Sequence, residues 1–241
     1  MAILSVTSHG FSLRSLNAIV SSLFLCIALF FFDDAYDYKS DLLIHPHRPI
    51  PMGLISIRQV YLSGVVSFII GMLVALTLPL YQFVIFLTAA VIGVVIVFGR
   101  LESILRTAFI SFLIGVLPSF SSFPDLKGLL FGLIMALPHV GGSITKDFIH
   151  SVGDRIGGLN PPPEWAKYLA SSAFFLSSVI LWLPKVLNLV TWLYIPPIVF
   201  THVSCIILGI NVLRGHYQRV YIWGGIGMCS SLIAFLLGGI H

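Results

Sequence analysis

Apolar residues run almost unbroken along this chain, in stretches of about 20 separated by short polar connections. A helix rising 1.5 Å per residue needs about that length to cross the ~30 Å hydrocarbon core of a bilayer. Hydropathy marks about eight such spans. They are Leu13–Phe32, Gln59–Pro79, Gln82–Phe98, Thr107–Phe123, Leu126–Thr145, Trp165–Pro184, Leu189–Val212 and Val220–Ile240. The runs are continuous rather than alternating, which argues against a transmembrane β-barrel. Two connections are longer and polar, Asp33–Arg58 and Lys146–Glu164. No soluble domain, low-complexity segment or short repeat interrupts the pattern. An all-α membrane protein is expected, with residues 1–241 forming a single polytopic domain.

Composition agrees. Hydrophobic residues make up 58% of the chain and charged residues 9%, against about 25% charged in a soluble domain. The formal charge is +4, but the basic residues are scattered among connections and form no face that would bind nucleic acid. Cys26, Cys205 and Cys229 stand singly in apolar runs, so neither a disulfide frame nor a zinc site is expected. With the spans numbered alternately, Lys39, Arg48, Arg58, Arg100, Arg106, Lys146, Arg155, Lys167, Arg214 and Arg219 fall on one side, and only Arg14, Lys127 and Lys185 on the other. Cytoplasmic loops carry the excess of Lys and Arg, so both long polar connections are expected to face the cytoplasm.

The acids are few and clustered. Of nine, six lie in FFDDAYDYKSD and KDFIHSVGDRIGG, each at the cytoplasmic end of a span. Asp34, Asp37 and Asp41 are spaced i, i+3, i+7, and Asp147, His150 and Asp154 repeat that spacing, so on a helix each set shares one face. Like charges on one helical face repel, and acids near hydrocarbon cost several kcal/mol unless paired or metal-bound. A run of charges is ordinarily a solvated surface; two runs of matched spacing on one side of a membrane call for a ligand. Magnesium takes oxygen ligands and retains waters and substrate phosphate oxygens. Two acidic stripes facing a common site, with basic residues close by, suit a reaction that expels diphosphate. Behind the first stripe, Pro46, Pro49 and Pro51 stiffen the segment HPHRPIPMG, and Gly53 permits a turn before the next span. That segment serves as a connector and as an arm delivering Arg48 to phosphate.

These residues resemble the UbiA superfamily of intramembrane prenyltransferases. The family pattern N-D-x-x-D-x-x-x-D is matched by Asp34, Asp37 and Asp41, with Asp33 in place of the opening Asn. The R-P-x-P-x-G that follows is matched by Arg48, Pro49, Pro51 and Gly53. The second pattern, K-D-x-x-D-x-x-x-D-R-x-x-G, is matched by Lys146, Asp147, Asp154, Arg155 and Gly158, with His150 in place of the middle acid. The resemblance implies a helical bundle around a central cavity, and magnesium held by Asp34, Asp37, Asp41, Asp147 and Asp154. Of these, Asp34, Asp37, Asp147 and Asp154 are the catalytic candidates. It also implies an isoprenyl diphosphate donor whose diphosphate meets Arg48, Lys146 and Arg155, and a hydrophobic acceptor that captures the allylic cation. Arg100 and Arg106 join the diphosphate candidates only through their side of the membrane.

Three departures accompany the match. The family has about nine spans, so its first helix is expected to be missing here. His150 leaves the second set one carboxylate short, and magnesium prefers oxygen to imidazole. The tract Asn160–Pro163 is richer in proline than the family's continuation.

The RPIP form of the first arm resembles both archaeal digeranylgeranylglyceryl phosphate synthases and chlorophyll synthases. The K-D…G-D-R form of the second motif favours the ether-lipid acceptor, geranylgeranylglyceryl phosphate, with an aromatic or tetrapyrrole acceptor second. A transporter would place its acids mid-span or in broken helices, not at one membrane face. The D-G-x-x-A-R element of CDP-alcohol phosphotransferases is absent from both acidic stretches. A non-catalytic homologue is the remaining alternative, since fold does not imply function.

Single cysteines introduced at Ser40 and Ser151, in a background lacking the three native cysteines, are expected to label from the cytoplasmic side, and one at Ser122 from the other. Labelling of Ser40 and Ser151 from opposite faces would overturn the topology.

Overall fold

A computed structural model of the protein describes residues 13–99, 101–122, 126–156 and 160–238. Its helices are α1 (Leu13–Tyr36), α2 (Tyr38–Ile44), α3 (Ile57–Ala75), α4 (Leu80–Phe98), α5 (Ser103–Ser122), α6 (Leu126–Ile156), α7 (Ala166–Ile180), α8 (Leu183–Val186), α9 (Ile195–Leu213) and α10 (Val220–Gly238). Single 3₁₀ turns at Trp192–Tyr194 and Tyr217–Arg219 lead into α9 and α10. No strand occurs among the described residues. Seven helices are long and apolar enough to cross a bilayer, and the apolar stretch Ser103–Val116 of α5 is a shorter one. The expected count of about eight spans agrees with this.

Two boundaries differ from the hydropathy reading in a way that bears on function. Charge ends the apolar signal at Phe32 and at Thr145, but backbone hydrogen bonding continues. Helix α1 runs on to Tyr36 and α6 to Ile156, so Asp33, Asp34, Asp147 and Asp154 lie on helices rather than in the connections. A backbone ladder does not stop where a side chain becomes polar.

Two compact units divide the chain. The first is Phe11–Glu102 with Val152–Asn160, and the second includes Ser103–Ser151 and Pro161–His241. In the first unit α1 packs against α3 and α4. The inward face of α3 is Val60, Gly64, Ser67, Gly71 and Ala75, small residues every third or fourth position. Lipid tails are as apolar as leucine, so helices in a membrane associate through close packing of such faces. Facing them on α1 are Phe24, Ser21 and Phe32; a Cβ on Gly64 would stand 2.7 Å from the Phe32 ring. Farther along, Asn17 donates to Thr77 Oγ1 at 2.9 Å, and Arg14 donates to Gln82 Oε1 at 3.2 Å and to the Tyr81 hydroxyl.

In the second unit α9 packs between α7 and α10. One buried cluster gathers Phe131, Ile134, Leu181, Tyr194, Ile198, Cys205 and Ala234. Another gathers Ile144, Ala170, Phe174, Leu208 and Val212, with Phe148 and Tyr217 packed beside it. The rings of Phe148 and Tyr217 stack at 4.9 Å and 6°. Cys205 is a core residue, whereas Cys26 and Cys229 are exposed, and all three are free thiols. At one crossing α5 and α6 meet backbone to backbone: a Cβ on Gly132 would lie 2.0 Å from the carbonyl oxygen of Gly115.

That contact generates a test. Because the obstacle is backbone and not a mobile side chain, Gly132→Ala is expected to cost about 1–3 kcal/mol through forced separation of the helices. Gly142→Ala on the same helix meets nothing within 4 Å and is expected to be neutral or slightly stabilising. Apparent Tm of the two variants in detergent checks this. Equal stability would overturn the close crossing.

Candidate functional site

The first acidic set sits where α1 passes into α2. Asp37 occupies the joint, with φ −81° and ψ 0°. The i→i−4 bonding persists through it, since Asp37 N–H donates to Asp33 O at 2.8 Å and Asp41 N–H to Asp37 O at 2.9 Å. Helical periodicity therefore carries past the break, and Asp34 and Asp41 remain on one face. The proof is Arg48, whose Nη1 lies 2.7 Å from Asp41 Oδ2 and 4.0 Å from Asp34 Oδ1. Asp41 is 6% exposed, so this ion pair compensates a carboxylate that has little access to water. Asp34 and Asp37 are exposed.

The proline segment explains how Arg48 comes back to the acids that precede it. Arg48 N–H donates to His45 O at 3.0 Å, Met52 N–H to Arg48 O at 3.0 Å, and Gly53 N–H to Ile50 O at 2.9 Å. These successive turns fold the arm on itself. Gly53 takes φ +73°, a left-handed value that residues with a Cβ rarely adopt. Next, Ser56 opens α3 with a capping box: its hydroxyl accepts from Gln59 N–H and the Gln59 side chain accepts from Ser56 N–H. The sequence pattern anticipated a stiff arm ending in a glycine turn, and the chain has both.

The second acidic set lies on α6. Asp147 is 5% exposed, and both of its oxygens are engaged. Ser103 Oγ donates to Oδ2 at 2.5 Å, and Arg106 Nη2 donates to Oδ1 at 2.8 Å. One turn away, the hydroxyls of Thr107 and Ser143 are 2.9 Å apart. His150 Nε2 lies 3.2 Å from the Tyr221 hydroxyl. Lys146 and Arg155 are exposed. Asp154 falls within α6, but its side chain lies outside the described residues, as does Arg100 altogether.

The structure thus joins Asp34, Asp41 and Arg48 in one constellation, and Asp147 and Arg106 in another. Arg106, expected only as a phosphate contact, is paired with an acid. Ser103 and Tyr221 were not anticipated. The signal for Ser103 was present, since it stands three residues before Arg106 and shares its helical face. Tyr221 had no such signal, because its meeting with His150 joins residues 71 positions apart.

An aromatic cleft of about 530 Å³ opens in the first unit, lined by Phe32, Tyr36, Tyr61 and Phe98 with Arg58. Phe32, Ala35 and Tyr36 are spaced i, i+3, i+4 on α1 and so share a face. Asp34, two residues from Phe32, projects from a different one.

The donor chemistry of the first set suits magnesium, because every candidate ligand is a carboxylate oxygen. Among the described residues no group of three or more His, Cys, Asp or Glu is drawn together as a ready cage. The convergent pair Asp34 and Asp41 is spanned by Arg48 instead.

No family model matches the chain. The digeranylgeranylglyceryl phosphate synthase of Methanothrix thermoacetophila (strain DSM 6194 / JCM 14653 / NBRC 101360 / PT) is 28% identical over 217 residues, covering 86% of this chain and 79% of that protein. A structure solved in work on digeranylgeranylglyceryl phosphate synthase in membranes superposes with a TM-score of 0.78 at 21% identity, over 98% of this chain and 89% of that one. The apo structure of a UbiA homologue from Aeropyrum pernix K1 gives 0.75 at 15% identity, over 97% and 94% of the two chains. Both solved structures share this fold.

The Asp147 pair can be tested without assaying turnover. Arg106→Gln leaves a buried carboxylate without its charge partner and is expected to lower apparent Tm. Adding Asp147→Asn is expected to restore part of the loss, with a coupling of about 1–3 kcal/mol. Additive effects in the double-mutant cycle would show that the pair contributes nothing.

Proposed function

We propose that the chain is a UbiA-superfamily intramembrane prenyltransferase, on its likeness to a digeranylgeranylglyceryl phosphate synthase and to two solved structures that share its fold, and that it builds an ether lipid by prenylating geranylgeranylglyceryl phosphate. The donor is an isoprenyl diphosphate, with geranylgeranyl the expected chain. The observation that carries this reading is the pairing of helix-borne carboxylates with arginines at both motifs, Asp34 and Asp41 with Arg48, and Asp147 with Arg106. Such sets offer oxygen ligands for a divalent cation and guanidinium groups for phosphate oxygens. The relative from Methanothrix acts, by its name, in the same chemistry, which supports the choice of acceptor.

In this reading the allylic C–O bond to diphosphate breaks, and the electron pair leaves with the diphosphate. The acceptor's free hydroxyl oxygen then forms the new C–O bond, and its proton leaves with the diphosphate. Arg48, Arg106, Lys146 and Arg155 hold the diphosphate and stabilise charge as it develops there. Asp34, Asp37, Asp41, Asp147 and Asp154 would hold magnesium, which when bound supplies further neutralisation of the departing group. The apolar spans bury the prenyl chain, so the tail contributes binding while the charged residues orient the head. The acidic motifs face the cytoplasm.

Activity is expected to require magnesium or manganese and to vanish in excess chelator. Asp34→Ala, Asp37→Ala and Asp147→Ala should each reduce turnover by orders of magnitude while the protein still inserts. Membranes containing the protein, given labelled geranylgeranyl diphosphate and a panel of acceptors, separate the acceptor classes. Transfer to geranylgeranylglyceryl phosphate supports the proposal. Transfer to 4-hydroxybenzoate, a naphthoate or chlorophyllide instead would replace it, and full turnover in EDTA would sink it. His150→Asp should lower the magnesium concentration needed, since it adds an oxygen ligand.

A further inference from the structure

Asp147 is held from two directions by one turn of α5. Ser103 and Arg106 are three residues apart and project from the same face. Each takes a different oxygen of the carboxylate, Ser103 at 2.5 Å and Arg106 at 2.8 Å. One turn along, Thr107 meets Ser143 at 2.9 Å. Thr107 is four residues after Ser103, and Ser143 is four residues before Asp147. The two rungs therefore step in opposite directions along two antiparallel helices, and together they pin the register of α5 against α6. Ser103, Thr107 and Asp147 are all at least nine-tenths buried, so water does not compete freely for these bonds.

The two partners of Asp147 differ in what they supply. Arg106 contributes charge through a long side chain that is a quarter exposed. Ser103 contributes direction: a short, buried hydroxyl on a pinned helix fixes the carboxylate plane. It leaves the carboxylate's negative charge uncompensated, so Asp147 can still attract a cation when Arg106 turns toward a phosphate.

We infer that Ser103 is a positioning residue for Asp147, holding its Oδ2 so that the opposite carboxylate oxygen is presented to a metal–diphosphate headgroup. This rests on the reading of Asp147 as a metal ligand given above. Groups that orient a ligating carboxylate are typically worth 10–100-fold in metal affinity.

The test uses the full chain in detergent, Mn²⁺ as the spectroscopically visible metal and inorganic pyrophosphate as the headgroup probe. Electron paramagnetic resonance titration gives Mn²⁺ affinity for the wild type, Ser103→Ala, Ser103→Thr and Asp147→Asn. Ser103→Ala is expected to weaken Mn²⁺ binding about tenfold. Ser103→Thr, which keeps the hydroxyl, is expected to restore affinity to within about threefold of the wild type, since the bond to Asp147 Oδ2 is retained. A variant Ser103→Ala that loses thermal stability but keeps wild-type Mn²⁺ affinity would overturn the inference, because a purely structural bond would behave that way. Should Ser103→Ala not yield folded protein, Ser103→Cys, nearly isosteric and a weak donor, is judged by the same criterion. If Asp147→Asn weakens Mn²⁺ binding and the Ser103 variants do not, positioning alone fails. If Asp147→Asn matches the wild type, or the wild type binds no Mn²⁺, the reading of Asp147 as a ligand fails and the inference with it.

Discussion

A carboxylate at the edge of a hydrocarbon layer has to be compensated, and that constraint shapes both acidic regions of this protein. Asp41 and Asp147 are almost fully buried. Stripped of water, each would cost several kcal/mol if left alone. Each is met by an arginine, Arg48 in one case and Arg106 in the other. The local architecture follows from satisfying these bonds. A chain leaving α2 has to turn back to bring Arg48 to Asp41, and the proline-rich arm with its left-handed Gly53 makes that turn. Helix α5 has to begin with a face that can reach α6, and Ser103 and Arg106 form it.

The helices that carry these groups are held by packing rather than by a hydrophobic drive, since the surrounding lipid is as apolar as the helix surfaces. That is why the faces in contact are built from small residues: Gly64, Ser67, Gly71 and Ala75 on α3 against α1, and Gly115 against Gly132 between α5 and α6. Side chains that act on a substrate work best on rigid supports. Here Asp34, Asp41 and Asp147 lie on helices, and Asp37 lies at the joint between two of them. Rigidity and charge compensation reinforce one another, because an ion pair with fixed ends costs less entropy to hold.

The replacement of an acid by His150 is consistent with the same economy of charge. A third carboxylate close to Asp147 would add repulsion that only a bound cation relieves. A histidine within 3.2 Å of the Tyr221 hydroxyl is satisfied by a neutral partner from another helix. In the proposed reading, the cost is one oxygen ligand fewer for a hard cation. Loss of one acid is therefore compatible with the proposed prenyltransferase reading.

Much of this was legible in the linear chain. Length, the apolar runs and the scarcity of charge determine a helical membrane protein, because a bilayer admits no other use for such stretches. The spacing of Asp34 and Asp41 puts them on one helical face, since periodicity is local, and their shared contact with Arg48 agrees. The proline arm and Gly53 were readable for the same reason. The limits of the helices were not: hydropathy ends at the first charges, whereas hydrogen bonding carried α1 to Tyr36 and α6 to Ile156. Nor could any local rule show that Arg106 would face an acid 41 positions away, that Ser103 would share it across 44, or that His150 would meet Tyr221 across 71. Those partners are chosen by how helices cross and in what register, which depends on close packing between segments remote in the chain. The sequence by itself determined which residues must be compensated; only the tertiary structure decided by what.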